Sequence, residues 1–165
     1  FPEGRPKKTA VVTNAGFESV ASADLVEGRL EAARLEDAEK VELASLIEKH
    51  GLSGLVGAHL PLDLTPMASE APFLEGTELI AKGEADSVVV GLVPLTQRLE
   101  TRDPQKMDAF AQALMTVARR TNTRIGIAVD AGFDFDPYRS ALMRAGLPVF
   151  ATMERALLGL RKLAE

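Results

Sequence analysis

Apolar residues come in short unbroken runs separated by longer stretches with helical spacing, and this alternation dominates the chain. The runs are Ala10-Val11-Val12, Val88-Val89-Val90-Gly91-Leu92-Val93, Ile125-Gly126-Ile127-Ala128-Val129 and Val149-Phe150. Runs without polar alternation predict strands covered on both faces, as in a parallel sheet. Between two of them, Met107, Phe110, Ala111, Leu114, Val117 and Ala118 fall on one face of a helix. Asp103 can cap that helix while Pro104 supplies the fixed φ of its first position, and the pair recurs at Asp136-Pro137. Gly146, followed by Leu147-Pro148, predicts a left-handed glycine ending the second of these helices.

Weaker signals fill the rest. They predict a helix over 18–28, a strand over 29–35 carrying Leu30, Ala32 and Ala33, and a helix over 37–50 burying Val41, Leu43, Ala44 and Ile47. A last helix, capped by Thr152, should bury Ala156, Leu157, Leu160 and Leu163. The connection over 51–67 exceeds the ~12–15 residues beyond which a loop is functional or hides short elements. Right-handed crossovers then lead to a single α/β domain over 1–165. It is a three-layer, doubly wound, flavodoxin-like sheet of about five parallel strands in the order 2-1-3-4-5.

Composition narrows the chemistry. The 165 residues contain 19 Lys plus Arg against 24 Asp plus Glu, for a formal net charge of −5. An acidic surface repels a nucleic-acid backbone, so no nucleic-acid partner is expected. Zero cysteines exclude disulfides, thiolate nucleophiles and cysteine-held metals, and only two histidines, His50 and His59, are present. No apolar run approaches the ~20 residues of a membrane span, and residues 1–8 lack a signal-peptide core. We therefore expect a cytoplasmic protein without a membrane partner. The chain starts at Phe1 rather than Met, and we read it as one module of a longer multidomain protein.

In an open α/β sheet, ligands sit beyond the carboxyl ends of the strands, where strand order reverses. That nominates Thr13-Asn14-Ala15-Gly16, Pro94-Leu95-Thr96, Asp130-Ala131-Gly132 and the segment Leu60-Pro61-Leu62-Asp63-Leu64-Thr65. Asn14, Asp63 and Asp130 are also ordinary turn and cap formers, so both readings stand at this point. A phosphoacceptor receiver domain is excluded because Thr13-Asn14 and Pro94-Leu95 stand where its carboxylates belong. Flavin is disfavoured by the absence of Trp and the single Tyr138, and there is no Walker-type or dinucleotide glycine motif. No metal site and no Ser/His/Asp triad is recognisable.

At these same loops the chain resembles a known family. Thr9-Ala10-Val11-Val12-Thr13-Asn14-Ala15-Gly16 is similar to the opening of the CoA-ligase domain of NDP-forming acyl-CoA synthetases, the succinyl-CoA synthetase and ADP-forming acetyl-CoA synthetase superfamily. The likeness continues in order through Pro61-Leu62-Asp63-Leu64-Thr65, Ala85-Asp86-Ser87-Val88-Val89-Val90 and Val93-Pro94-Leu95-Thr96. It ends at Ala145-Gly146-Leu147-Pro148-Val149-Phe150 and Glu154-Arg155-Ala156.

The resemblance implies a reversible ligation of acid and CoA at the expense of ATP, through an acyl phosphate and a phosphohistidine. It implies that Asn14, Ala15, Gly16, Phe17 and Glu18 form a phosphate-facing loop and helix start, where free N–H groups and about +0.5 charge hold an anion without a cationic side chain. Asp63, Pro94, Leu95, Thr96, Asp130 and Gly132 would line the substrate-region loops. CoA, ATP/ADP and Mg2+ would be bound by the parent enzyme and none by this domain alone. Its partners would be a CoA-binding, phosphohistidine-bearing domain and an ATP-grasp domain.

Catalytic residues are expected to lie outside this chain, since neither His50 nor His59 matches the family's Ser-His-Thr-Gly segment, and the isolated chain should be inactive. The chain also departs from the family at two places: Gly16-Phe17-Glu18-Ser19 replaces Gly-Gly-Pro-Gly, and Leu60 replaces the Asn before Pro61. Glu18 would stabilise a helix start by about 0.3–1 kcal/mol yet repel a phosphoryl group there, unless it points to solvent. Phe17 adds a side chain where glycine allows close approach. An altered phosphate loop, or a non-catalytic ligand-sensing or interaction domain of the same fold, is the expectation these departures raise.

Overall fold

The structure, a computed structural model, describes residues 6–25 and 30–164. The strands are β1 (Lys8–Thr13), β2 (Glu31–Ala32), β3 (Leu62–Asp63), β4 (Ser87–Leu92), β5 (Arg124–Val129) and β6 (Val149–Phe150). The helices are α1 (Gly16–Leu25), α2 (Asp37–Lys49), α3 (Glu70–Lys82), α4 (Pro104–Thr121), α5 (Asp136–Arg144) and α6 (Met153–Leu163), with a short 3-10 turn at Phe133–Phe135. The sheet is parallel and runs β2-β1-β4-β5-β6, which is the expected doubly wound order.

One strand was hidden in the long connection. β3 pairs Leu62 with Val12 and Asp63 with Thr13, while β2 pairs with β1 only at Lys8 and Thr9. The two short strands thus share the outer edge of β1, one at each end. A two-residue strand is too short to show periodicity, which is why only the length of the segment signalled it.

Alternation within the apolar runs divides the core. Val12, Val88, Val90 and Ile127 point into the larger cluster with Leu43, Ile47, Phe73, Ile80, Leu114 and Leu142. Val11, Val89 and Ala128 point to the other face, against Met153, Ala156, Leu157 and Leu160 of α6. Both faces of the central strands are therefore dry. Burial of each such side chain contributes roughly 1.5–3 kcal/mol, offset in large part by the entropy of ordering it.

Several local expectations change. α1 starts two residues earlier than expected, at Gly16, and the expected stretch 26–29 lies outside the described residues. Among the described residues of the segment 29–35, only Glu31 and Ala32 are strand, and Leu30 and Ala33 are buried whereas Ala32 is exposed. In α2 the inward stripe is Leu43, Leu46 and Ile47; Val41 and Ala44 fall off that stripe and face solvent. Leu163, in the last turn of α6, is likewise exposed because the buried stripe ends at Leu160. Asp136 does not cap α5: the 3-10 turn leads directly into the helix, so Asp136 is already inside it and pairs with Arg139 Nη1 at 2.7 Å.

Other punctuation is as read. Asp103 Oδ1 accepts from Gln105 N at 2.9 Å and from Lys106 N at 3.3 Å, and Thr152 Oγ1 accepts from Arg155 N. Gly146 adopts φ +93°, the left-handed turn that a side chain would strain.

The revised α2 face is testable by urea denaturation. Leu43→Ala should lower stability by about 2–5 kcal/mol, whereas Val41→Ala should stay within about 0.5 kcal/mol.

Candidate functional site

At the carboxyl edge of the sheet the chain passes from β1 to α1 through only Asn14 and Ala15. Asn14 is buried, and its side-chain amide makes two hydrogen bonds with the backbone of Val93: Nδ2 donates to the carbonyl at 3.1 Å and Oδ1 accepts from the amide at 2.9 Å. The loops after β1 and β4 are thereby locked together. Ala15 accepts from Glu18 N at 3.0 Å and Ser19 N at 3.3 Å, starting the helix, while Ala15 N donates to Thr13 Oγ1 at 3.1 Å. The amides of Gly16 and Phe17 have no acceptor among the described residues. A helix start with two free donors at the switch point is an anion-binding geometry.

Glu18 changes that picture. Its side chain is only 1% exposed, so it does not point to solvent, and Thr13 Oγ1 donates to its Oε2. Its Oε1 is buried without a hydrogen-bond partner. Burial is the main cause that raises its pKa from 4.5 to about 7; the Thr13 hydrogen bond opposes the rise, and the charges of Asp130 and Asp63 add to it. The carboxyl group lies against Gly91 of β4. A Cβ there would stand 2.6 Å from Met153 Cε and 2.9 Å from Thr13 Oγ1, and would also collide with Glu18 Oε2. Gly91, inside an unbroken valine run, is thus the backbone cue for a close approach.

The other sequence-nominated residues gather round this point in part. Asp63 reaches it because β3 pairs with the end of β1; a Cβ on Gly16 would stand 3.3 Å from Asp63 Oδ2. Asp63 Oδ1 accepts from Thr65 N at 2.9 Å, and Thr65 itself sits at φ 60°, an unusual backbone for a β-branched residue. Asp130 is at the end of β5, half-buried, and its charge reaches Glu18. Pro94 is buried, Leu95 is exposed, and Thr96 Oγ1 donates to Pro66 O at 3.0 Å, turning these residues toward a separate cleft. Gly132 is exposed and serves as a backbone acceptor for Arg139 Nη1 at 3.0 Å. Phe17 is 62% exposed and takes no part in the carboxyl cluster.

Three features were missed from sequence. Gly91 leaves room for the Glu18 carboxyl that the nominated Thr13 bonds, Arg139 pins the loop after β5 through the carbonyls of Val129, Ala131 and Gly132, and Tyr138 is buried with its hydroxyl unpartnered. Only Gly91 carried a visible signal. Among the described residues, no group of three or more His, Cys, Asp or Glu side chains is placed to hold a metal. The histidines stand apart: His50 Nε2 lies 3.2 Å from Glu75 Oε2 at the end of α2, and His59 lies in the following connection. No helix among the described residues is long and apolar enough to cross a membrane.

No protein-family model matches the sequence, and no curated protein matches it. Solved structures do match. The crystal structure of PH0766 from Pyrococcus horikoshii OT3 superposes with a TM-score of 0.78 at 21% identity, over 99% of this chain and 36% of that one. The dinucleotide-forming acetyl-coenzyme A synthetase 1 of Candidatus Korarchaeum cryptofilum matches with a TM-score of 0.76 at 19% identity. That match covers 98% of this chain and 33% of the other, both in its apo form and in the complex with phosphate and ADP. The chain therefore has the fold of one segment of these proteins and spans about a third of their length.

Two variants test the carboxyl cluster. Because the folded pKa of Glu18 lies above its unfolded value, the neutral form favours the fold; the contribution is complete below about pH 4.5 and is lost as pH rises through about 7. Glu18→Gln cannot titrate and keeps the acceptor for Thr13. Its stability relative to the parent chain should therefore rise between pH 5 and pH 8, by up to about 3 kcal/mol, in thermal melts across that range. Gly91→Ala should destabilise by about 1–3 kcal/mol through overpacking, while Gly126→Ala, with nothing closer than 3.8 Å, should be milder.

Proposed function

We propose that this chain serves as the CoA-ligase-type module of a multidomain, NDP-forming acyl-CoA synthetase-like protein, which joins an acid to CoA with ATP through a phosphohistidine. The reading is carried by one observation: nearly the whole chain shares the fold of one segment of an acetyl-coenzyme A synthetase. The helix start at the switch point supports it, since free amides there suit a phosphoryl group. In this reading the Asn14–Glu18 loop faces the phosphohistidine of a CoA-binding neighbour. Asp63, Pro94, Leu95, Thr96, Asp130 and Gly132 border the substrate side. CoA, ATP/ADP and Mg2+ belong to that neighbour and to an ATP-grasp domain, and no catalytic side chain comes from this module.

A second reading draws on a different observation. Glu18, Asp63 and Asp130 surround the helix start with carboxyl groups, and two adjacent carboxylates repel a phosphoryl anion when Glu18 is also ionised. A non-catalytic ligand-sensing or interaction domain of the same fold fits that charge better.

The full-length protein containing this chain separates the two. Incubated with acid, CoA and ATP, it should form acyl-CoA, ADP and phosphate with an acid-labile phosphohistidine, and the 165-residue chain alone should form none. A full-length protein without phosphohistidine or acyl-CoA supports the second reading. Turnover by the isolated chain contradicts both.

A further inference from the structure

A cleft of about 840 Å³ lies beside the carboxyl cluster, walled by the 94–102 loop after β4, the first turns of α3 and α4, and the 3-10 turn after β5. Volumes of roughly 300–1,000 Å³ are usual for small-molecule sites. The loop is firmly built: Leu99 anchors it in the core, Thr96 ties it to Pro66 O, and Arg98 N donates to Thr96 Oγ1 at 2.8 Å. Glu70 accepts from Glu100 N, and Glu100 Oε1 accepts from Arg102 N at 2.9 Å and Asp103 N at 3.1 Å. These backbone donors are the leading cause that holds the Glu100 carboxyl below its ordinary range.

The charge balance follows from that wiring. Both glutamates accept from backbone amides and keep their charge, and Lys106 pairs with Glu100 at 3.5 Å. Arg98 and Arg102 are exposed and form no ion pair among the described residues, so their donors stay open while Glu70 and Asp134 balance their charge across the cleft. The start of α4 is already capped by its own Asp103, so attraction for an anion here comes from the guanidinium groups rather than the helix. Leu95, 73% exposed, and Phe135 add apolar wall. One turn beyond Phe135, the buried Tyr138 hydroxyl has no partner, and its phenol is held above its ordinary pKa by burial first and by the Glu70 charge second.

We propose that this cleft binds a small molecule carrying carboxylate or phosphate groups, gripped by the unoccupied guanidinium donors of Arg98 and Arg102 and lying against Leu95 and Phe135. Planar guanidinium forks match carboxylate and phosphate oxygens equally, so either class suits the site. The proposal rests on the cleft itself and not on the acyl-CoA synthetase reading.

Isothermal titration and amide NMR of the chain test it, with pyrophosphate and a short dicarboxylate as separate probes. At least one probe should saturate at millimolar concentration or below, shifting amides over 94–106 and not those of Asn14 to Glu18. Saturation by pyrophosphate alone assigns a phosphate ligand, and saturation by the dicarboxylate alone assigns a carboxylate. Arg98→Ala/Arg102→Ala should weaken binding by about tenfold or more with an unchanged melting temperature. Arg161→Ala/Lys162→Ala, at the far end of α6, should bind within about twofold of the parent, as expected if specific contacts rather than net charge hold the ligand. No saturable binding of either probe, or equal loss in both double variants, overturns the proposal.

Discussion

The Glu18 carboxyl group enters the carboxyl edge of the sheet with one oxygen bonded to the Thr13 hydroxyl and the other buried without a partner. A carboxylate in that position loses its hydration and gains only one hydroxyl in return, so the neutral acid is favoured far more than in water. Much of the surrounding architecture follows from accommodating it. Gly91 must lack a side chain because the carboxyl group and Met153 occupy that space. Thr13 must end β1 with a hydroxyl turned toward α1, since the same oxygen also receives Ala15 N and so helps set the start of the helix.

Two further constraints place this group where chemistry can reach it. β3 takes the outer edge of β1 only at its last two residues, which delivers Asp63 to the helix start. Asn14 bonds to Val93 with both ends of its amide, joining the loops after β1 and β4 across the point where strand order reverses. The carboxyl edge is consequently divided electrostatically. Its centre is acidic, round Glu18, Asp63 and Asp130, and its flank presents Arg98 and Arg102 over a cleft.

Much of the fold was legible in the sequence because its central strands are covered on both sides. Val88 to Leu92 and Ile125 to Val129 read as buried strands, and Asp103, Pro104, Gly146 and Thr152 marked real helix boundaries. What escaped was short or three-dimensional. β3 spans two residues, and Val41 has the right polarity for a core position but the wrong angle on its helix. Within the site, Asn14, Asp63 and Asp130 could be nominated from their loops, yet the burial of Glu18 depends on Gly91 and Met153, residues far along the chain that only the fold brings against it. A charged residue in the first turn of a helix ordinarily faces water, and nothing local distinguishes one that does not.

Glu18 is thus a buried acid, neutral over much of the range in which surface carboxylates are charged. Carbon-13 NMR of the glutamate side-chain carboxyl, assigned by comparison with Glu18→Gln, measures this directly. The Glu18 signal should titrate with a midpoint of about 7. A midpoint near 4.5, the value of an ordinary solvated glutamate, contradicts it.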